Sequence, residues 1–206
     1  SLDTAQEIAR LIQRAVYRYE GSLNKINVDD KGITVVAALG LPPFSHENDP
    51  LRGVQAALTM RDELNQLGVR STIGITTGRI FCGSIGNNQR REYTLIGNVV
   101  NLSARLMTLA STQGDLIEKF KIPILMDRPT SESVRDGIDF QTLSPQLVKG
   151  RSEQIEIFHP ISQKKSVIRP TTDLIGRHAA FLLHLDQRLV KGKDGMNGRR
   201  KAKLCI

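Results

Sequence analysis

The chain has 206 residues, with 29 Lys and Arg against 21 Asp and Glu, 39% hydrophobic and 4% aromatic residues, and no Trp. This length fits one globular domain with additional chain, and the composition excludes an intrinsically disordered protein. No apolar run approaches the ~20 residues of a transmembrane helix, and the N-terminus lacks the pattern of a signal peptide. We therefore expect a cytoplasmic protein without a membrane span.

The net charge of +8 suggests a nucleic-acid partner until the charge is located. Residues 191–206 hold six Lys and Arg against Asp194, a net charge of +5 that leaves only +3 for the first 190 residues. No aromatic residues are interleaved with this basic tail, as stacking on single strands requires. We therefore predict no nucleic-acid partner. Cys82 and Cys205 match no metal or redox spacing, which favours a reducing compartment.

The first half of the chain alternates helical and strand patterns. Thr4 and Glu7 have the spacing of a capping box, and apolar residues recur at helical intervals as far as Gly21. A second helix is predicted to begin with Asp49 as N-cap and Pro50 in its first turn, and to end at Gly68. The β-rich runs are residues 23–28, 33–39 and 69–75, of which the first two form a hairpin.

The second half is punctuated by glycines as far as Gly97, a pattern that predicts a hairpin leading into a helix over residues 99–109. Further predicted elements are strands at 122–126, 140–143 and 155–158 and a short helix at 131–134. These patterns predict an α+β fold, a mostly antiparallel sheet with packed helices. We divide the chain into a domain over residues 1–160, a linker over 161–173, and a new unit over 174–206 that starts with an amphipathic helix at 174–190.

Asn101 and Arg105 stand four residues apart on the third predicted helix, so that both side chains can reach one ligand. An amide and a guanidinium on one face suit a transferring phosphoryl group, because arginine supplies a forked positive charge and asparagine can orient an oxygen. From spacing alone, an ordinary solvated helix face is the alternative interpretation.

Four motifs in order strengthen the phosphoryl-transfer interpretation. They are Gly-x-x-Thr-Gly, Cys-Gly-x-x-Gly, Arg-x-Glu-Tyr-Thr-x-Ile-Gly and Val-Asn-x-x-Ala-Arg-Leu, all between Gly74 and Leu106. With these motifs the chain resembles the class III nucleotidyl cyclase catalytic domain over residues 4–160. The resemblance implies a ferredoxin-like layer fold whose first strand is missing from this chain.

Two further motifs resemble the second cyclase half of soluble, bicarbonate-responsive adenylyl cyclases. They are Glu20-Gly-x-x-Asn-Lys25-Ile and Asp30-Lys-Gly32. Asp173-Leu-Ile-Gly-Arg177 is similar to the entry of the ATPase-like module that follows the two cyclase halves in that group. No Gly-x-x-x-x-Gly-Lys-Ser/Thr motif follows it, so residues 174–206 would be only the truncated start of that module, with the basic tail.

The resemblance assigns roles to five residues. Asn101 and Arg105 match the pair that steadies the ribose and the pentavalent phosphorus in catalysis. Lys25 and Thr94 match the purine-recognising positions, where guanylyl cyclases present Glu and Cys and many adenylyl cyclases carry Asp in place of Thr94. Lys149 matches a lysine that contacts the β- and γ-phosphates, and a solvated loop lysine is its alternative interpretation.

The metal site of the family is not matched. The resemblance implies two Mg²⁺ (or Mn²⁺) ions held by two aspartates, one of them on the missing first strand. Asp29 falls four residues after Lys25, as the second aspartate does, but its position in a hairpin turn favours a turn role. We therefore assign no metal ligand in this chain and expect both ions to be held by a partner half.

The resemblance predicts one half of an adenylyl cyclase catalytic pair, which converts ATP to 3′,5′-cyclic AMP and pyrophosphate. The expected partner is a first-half cyclase domain, either in the same chain or separate, and a homodimer is an alternative assembly. The alternative function is a non-catalytic, regulatory cyclase-like dimerisation module. Such a module would keep the glycines but would need neither Asn101 nor Arg105.

Overall fold

The computed structural model of the chain describes residues 2–29, 32–87, 89, 91–164 and 179–185. Its main sheet has seven strands and is covered on both faces. The helices are α1 (Leu2–Arg18), α2 (Asp49–Gln66), α3 (Asn98–Thr112), α4 (Gly114–Phe120) and α5 (Arg128–Val134). The strands are β1 (Ser22–Asp29), β2 (Gly32–Leu39), β3 (Ser71–Thr77), β4 (Phe81–Gly86), β5 (Arg91–Ile96), β6 (Ile124–Met126), β7 (Ile138–Leu147), β8 (Gln154–Gln163) and β9 (Ala179–Leu185).

The main sheet has the order β1-β2-β9-β3-β6-β8-β7, and β4 and β5 form a separate hairpin. All neighbouring pairs are antiparallel except β3 and β6. This arrangement is the α+β layer fold that the sequence predicts. No helix within the described ranges has both the length and the apolar character needed to cross a bilayer.

Alternation along the strands separates two apolar layers. On β2, Val35 and Ala37 face the main core under α1 and α2, whereas Val36 and Ala38 face the β4–β5 hairpin. On β3, Ile73 and Ile75 belong to the same main core, and Gly74 between them faces α3. The sheet is therefore covered by α1 and α2 on one face and by α3 with the hairpin on the other.

The sequence-predicted helix over residues 174–190 is wrong where the structure describes that segment. Ala179–Leu185 form β9, which pairs with β2 and β3 through seven residues on each side. Two strand edges that face each other need hydrogen-bond partners, and this tertiary demand overrides a helical pattern. β9 thus lies between β2 and β3 in the centre of the sheet, the place that the first strand takes in a β-α-β-β-α-β layer fold.

Smaller corrections concern element ends. Asn48, not Asp49, is the N-cap of α2, and the Asp49 carboxylate instead accepts a hydrogen bond from the backbone N–H of His46 at 2.7 Å. The short helix α4 has no counterpart among the predicted elements. Strand β8 continues to Gln163, three residues into the predicted linker. The remaining linker and the basic tail lie outside the described residues, so the division at residues 161–206 stays a prediction.

The packing of α3 on β3 depends on Gly74. A Cβ at this position would lie 2.2 Å from the carbonyl oxygen of Ser103 and 2.8 Å from the backbone nitrogen of Met107. Both atoms belong to the backbone of α3, so no side-chain rotation could relieve the contact.

We predict that Gly74→Ala forces α3 away from the sheet and destabilises the protein by about 1–3 kcal/mol, the usual range for overpacking. Gly114→Ala is the matched control, because a Cβ there meets nothing within 4 Å. Urea denaturation measures both variants. Equal stabilities of the two would contradict the close approach of α3.

Two buried titratable groups have opposite effects on stability in acid. His159 is 3% exposed, stacks on Phe120 with ring centroids 3.6 Å apart, and has Nδ1 2.9 Å from the carbonyl oxygen of Ile124. Burial, together with nearby positive charges, lowers the pKa of His159 from 6.5 to about 4. Asp127 accepts hydrogen bonds from the backbone N–H and hydroxyl of Thr130, yet burial raises its pKa from 3.8 to about 6.

Between neutral pH and about pH 4, unfolded chains take up a proton at His159 that folded chains do not, so acid destabilises the fold through this group. At about 1.4 kcal/mol per pKa unit, this loss is on the order of 3 kcal/mol. Asp127 acts in the opposite sense, because the folded chain binds its proton at higher pH. We expect urea titrations to show that His159→Gln loses less stability than the wild type on acidification, and that Asp127→Asn loses more. Parallel pH profiles would contradict both assignments.

Candidate active site

Lys25 on β1 reaches across to the β4–β5 hairpin. It lies at an irregularity in the β1–β2 pairing, and its Nζ is 3.2 Å from Oε1 of Glu92 on β5. The neighbouring Asn24 donates from Nδ2 to the backbone carbonyl of Tyr93 at 3.3 Å. Both side chains of the ion pair are about half exposed, so the ammonium is held in place and remains open to a ligand.

Thr94 lies two residues after Glu92 on β5, hence on the same face of the strand, and is partly buried. The structure therefore brings the two predicted purine-recognising residues, Lys25 and Thr94, to one place. Glu92 pairs with Lys25 and lies on the same face of β5 as Thr94. The sequence motifs did not single it out as a site residue. Its alternation with Thr94 along the strand was the available signal.

Asn101 and Arg105 lie on α3, which begins directly after β5 and Gly97. Thr76 on β3 donates from its hydroxyl to the backbone carbonyl of Val99 at 2.8 Å, which fixes the first turn of the helix. Asn101 is exposed and Arg105 is partly buried, one turn apart on the same side of the helix. The predicted spacing on one helix face is confirmed.

Arg105 approaches the turn between β7 and β8 that carries Lys149. The adjacent Gly150 lies so close that a Cβ on it would be 3.1 Å from Nη2 of Arg105. Val148, which precedes the pair, is 4% exposed and anchors the turn in the core with α3. The turn that carries the exposed Lys149 therefore lies next to Arg105, although the two are distant in sequence.

Among the residues whose side chains the structure describes, Arg105 has no hydrogen-bond or ion-pair partner. A partly buried guanidinium without a partner is unfavourable, since charged groups lose solvation on burial unless a counter-charge is supplied. Arginine presents its donors as a fork that matches phosphate oxygens. The arrangement suits an anionic ligand that bridges α3 and the β7–β8 turn.

The described side chains include no candidate metal centre. No group of three His, Cys, Asp or Glu side chains in the described part of the chain is arranged to hold a metal ion. Asp29 ends β1, and nothing is described of its side chain. Residues 179–185, in the central position of the sheet, include no Asp or Glu.

Comparison with known proteins gives a consistent family. The family model described as the adenylate and guanylate cyclase catalytic domain matches residues 14–159. Human adenylate cyclase type 10 is 33% identical over 114 residues, which are 51% of this chain and 7% of the human protein. The Dictyostelium discoideum adenylate cyclase that is specific to terminal differentiation is 27% identical over 126 residues, 56% of this chain and 6% of that protein.

Solved structures share the fold. The adenylyl cyclase CyaB from P. aeruginosa superposes with a TM-score of 0.63 at 21% identity, over 80% of this chain and 83% of that chain. The guanylate cyclase domain of RhGC from Catenaria anguillulae, solved in complex with GTP, gives 0.62 at 16% identity over 78% and 83%. With the family model covering most of the described residues, the chain belongs to the adenylate and guanylate cyclase catalytic domain family, the class III cyclases.

Proposed function

We propose that this chain is the second half of an adenylyl cyclase catalytic pair, which converts ATP to 3′,5′-cyclic AMP and pyrophosphate. The observation that carries the proposal is the guanidinium of Arg105, which has no partner among the described side chains and lies next to the turn of Lys149, on the helix face that also bears Asn101. The two cations oppose the negative charge of a triphosphate, and the neutral Asn101 amide can hydrogen-bond the ribose. The adenylate cyclases among the relatives support the same nucleotide chemistry.

Each residue has a defined task in this reaction. The 3′-oxygen of the ribose attacks the α-phosphorus, loses its proton, and pyrophosphate leaves. Arg105 donates to the oxygens of the pentavalent phosphorus, where negative charge develops. Asn101 steadies the ribose, and Lys149 binds the β- and γ-phosphates. Lys25 donates to the acceptor nitrogen of adenine, with Thr94 at its exocyclic amine.

The family generally uses divalent metal ions. Because the described residues hold no suitable cluster, we assign the two Mg²⁺ or Mn²⁺ ions to a first-half cyclase domain that pairs with this chain. The composite site would then lie at the interface of the two halves, in the cytoplasm. A homodimer would present Arg105 and Lys149 twice, but β9 would offer no carboxylate in either copy.

β9 lies in the centre of the sheet and contains no Asp or Glu, which also favours a second candidate function. This candidate is a regulatory module that dimerises without turnover. The two candidates differ in a cyclase assay with ATP and Mg²⁺ or Mn²⁺. We expect this chain alone to form little cyclic AMP, and a mixture with a first half that retains both metal-binding aspartates to be active. An inactive mixture would favour the regulatory module. Strong Mg²⁺-dependent turnover by the chain alone would contradict the assignment of the metal site to the partner half. Asp29 and Asp30 would then be the first residues to mutate.

In the active mixture, Asn101→Ala and Arg105→Ala should each lower kcat by about 10²–10³-fold with little change in KM, because both groups act on charge that develops in the transition state. Arg128→Ala is the control, since Arg128 is exposed on α5 and pairs only with Glu132 and Glu156 among the described side chains. A raised KM with unchanged kcat would contradict the roles of Asn101 and Arg105.

Nucleotide choice should follow Lys25 and Thr94, so kcat/KM for ATP should exceed that for GTP. Lys25→Glu removes the donor to adenine and places a second carboxylate beside Glu92. This variant should lower the ratio of kcat/KM for ATP to kcat/KM for GTP. Lys119→Glu, on α4, makes the same charge change away from the site. Comparable kcat/KM values for ATP and GTP in the wild type would overturn the adenylyl assignment and leave the cyclase assignment intact.

A further inference from the structure

The guanidinium of Arg105 lies against the position that a Cβ on Gly150 would take. A Cβ built on Gly150 would lie 3.1 Å from Nη2, 3.5 Å from Cζ and 3.7 Å from Nη1 of Arg105. If the Cβ position lay in the guanidinium plane, beyond Nη2, its distance to Nη1 would be much longer than its distance to Nη2. The two distances are similar, so the Cβ position lies above the plane, and the direction to it from Nη2 is nearly perpendicular to that plane. A side chain on Gly150 would therefore press on a face of the group, and glycine leaves that space free.

A side chain there would not reach the donors of Arg105 directly. The N–H bonds of a guanidinium lie in its plane, so an atom added over the face would tilt the group rather than occupy the fork. Gly150 also has φ of +77°, a backbone conformation that residues with a side chain rarely adopt. Both the conformation and the close approach favour glycine here.

We propose that Gly150 is a positioning residue, which orients the guanidinium of Arg105 toward the transferring phosphoryl group. This inference rests on the proposed cyclase function for its effect on catalysis. Lys149 precedes Gly150 in the same turn, so one backbone geometry would position both proposed phosphate-binding cations. A side chain at residue 150 would tilt the Arg105 fork.

Gly68 provides a matched control within the same chain. It has φ of +66°, close to that of Gly150, but a Cβ on Gly68 would meet nothing within 4 Å. Asparagine tolerates positive φ better than other residues with side chains. Comparing Gly150→Asn with Gly68→Asn therefore separates contact with Arg105 from backbone strain, which both substitutions share.

Steady-state kinetics with the first-half partner give the first test. We expect Gly150→Asn to lower kcat by about 10²-fold, the effect of a misplaced catalytic group, with a smaller change in KM. Gly68→Asn should keep the wild-type kcat. The double variant Arg105→Ala/Gly150→Asn should be no slower than Arg105→Ala alone, because Gly150 acts through Arg105. A further loss in the double variant, or equal losses for Gly150→Asn and Gly68→Asn, would overturn the proposal.

A second test does not depend on catalysis. In ¹H–¹⁵N spectra of the chain, the Nε–H signal of Arg105 is assigned by its loss in Arg105→Ala. Gly150→Asn should shift this signal and Gly68→Asn should not; an unmoved signal in Gly150→Asn would overturn the positioning role. If Gly150→Asn fails to fold, Gly150→Ala makes the smaller change and is assessed by the same signal. If the wild-type mixture is inactive, the cyclase proposal fails, while the spectra still decide whether Gly150 positions Arg105.

Discussion

The backbone contact of α3 with β3 is the constraint on which the candidate site depends. The helix is fixed at three points one turn apart, namely the carbonyls of Val99 and Ser103 and the backbone nitrogen of Met107. Thr76 donates to the first, and the absence of a side chain at Gly74 admits the other two. Because these contacts are made by helix backbone, they determine both the distance and the direction of α3. The positions of the side chains on the opposite side of α3, including Asn101 and Arg105, are therefore set by the same contacts.

The proposed purine-binding residues Lys25 and Thr94 are connected to the same helix through β5. Leu95 on β5 packs with Val36 and Ala38 of β2, so the hairpin is anchored on the sheet below it. The ion pair of Lys25 with Glu92 joins β1 to β5 at its exposed side. Exposed ion pairs contribute at most about 1 kcal/mol, so the importance of this one lies in where it holds the ammonium. One short connection at Gly97 then joins β5, with Thr94, to α3, with Asn101 and Arg105.

The sequence predicts the elements whose signals are local, and it misses those that depend on distant contacts. The first hairpin, α2 and α3 follow from periodicity and turn residues, and Asn101 and Arg105 follow from helical spacing with the family motifs. Residues 179–185 have a helical pattern, but they form a strand because the flanking strands supply hydrogen bonds that no local pattern encodes. Glu92 and Gly150 were missed for the same reason, since each owes its role to a partner far away in the chain.

The distribution of charge in the candidate site explains why such a half would need a partner. Lys25, Arg105 and Lys149 are cations, and Glu92 is the one carboxylate that contacts any of them among the described side chains. If this chain also carried the metal-binding aspartates within reach of Arg105, the guanidinium would pair with them, and its fork would be occupied before substrate arrived. Separating the cations and the carboxylates onto two halves avoids that internal neutralisation. In the proposed pair the charges would meet around the triphosphate, where assembly of the two halves and binding of the nucleotide would satisfy them together.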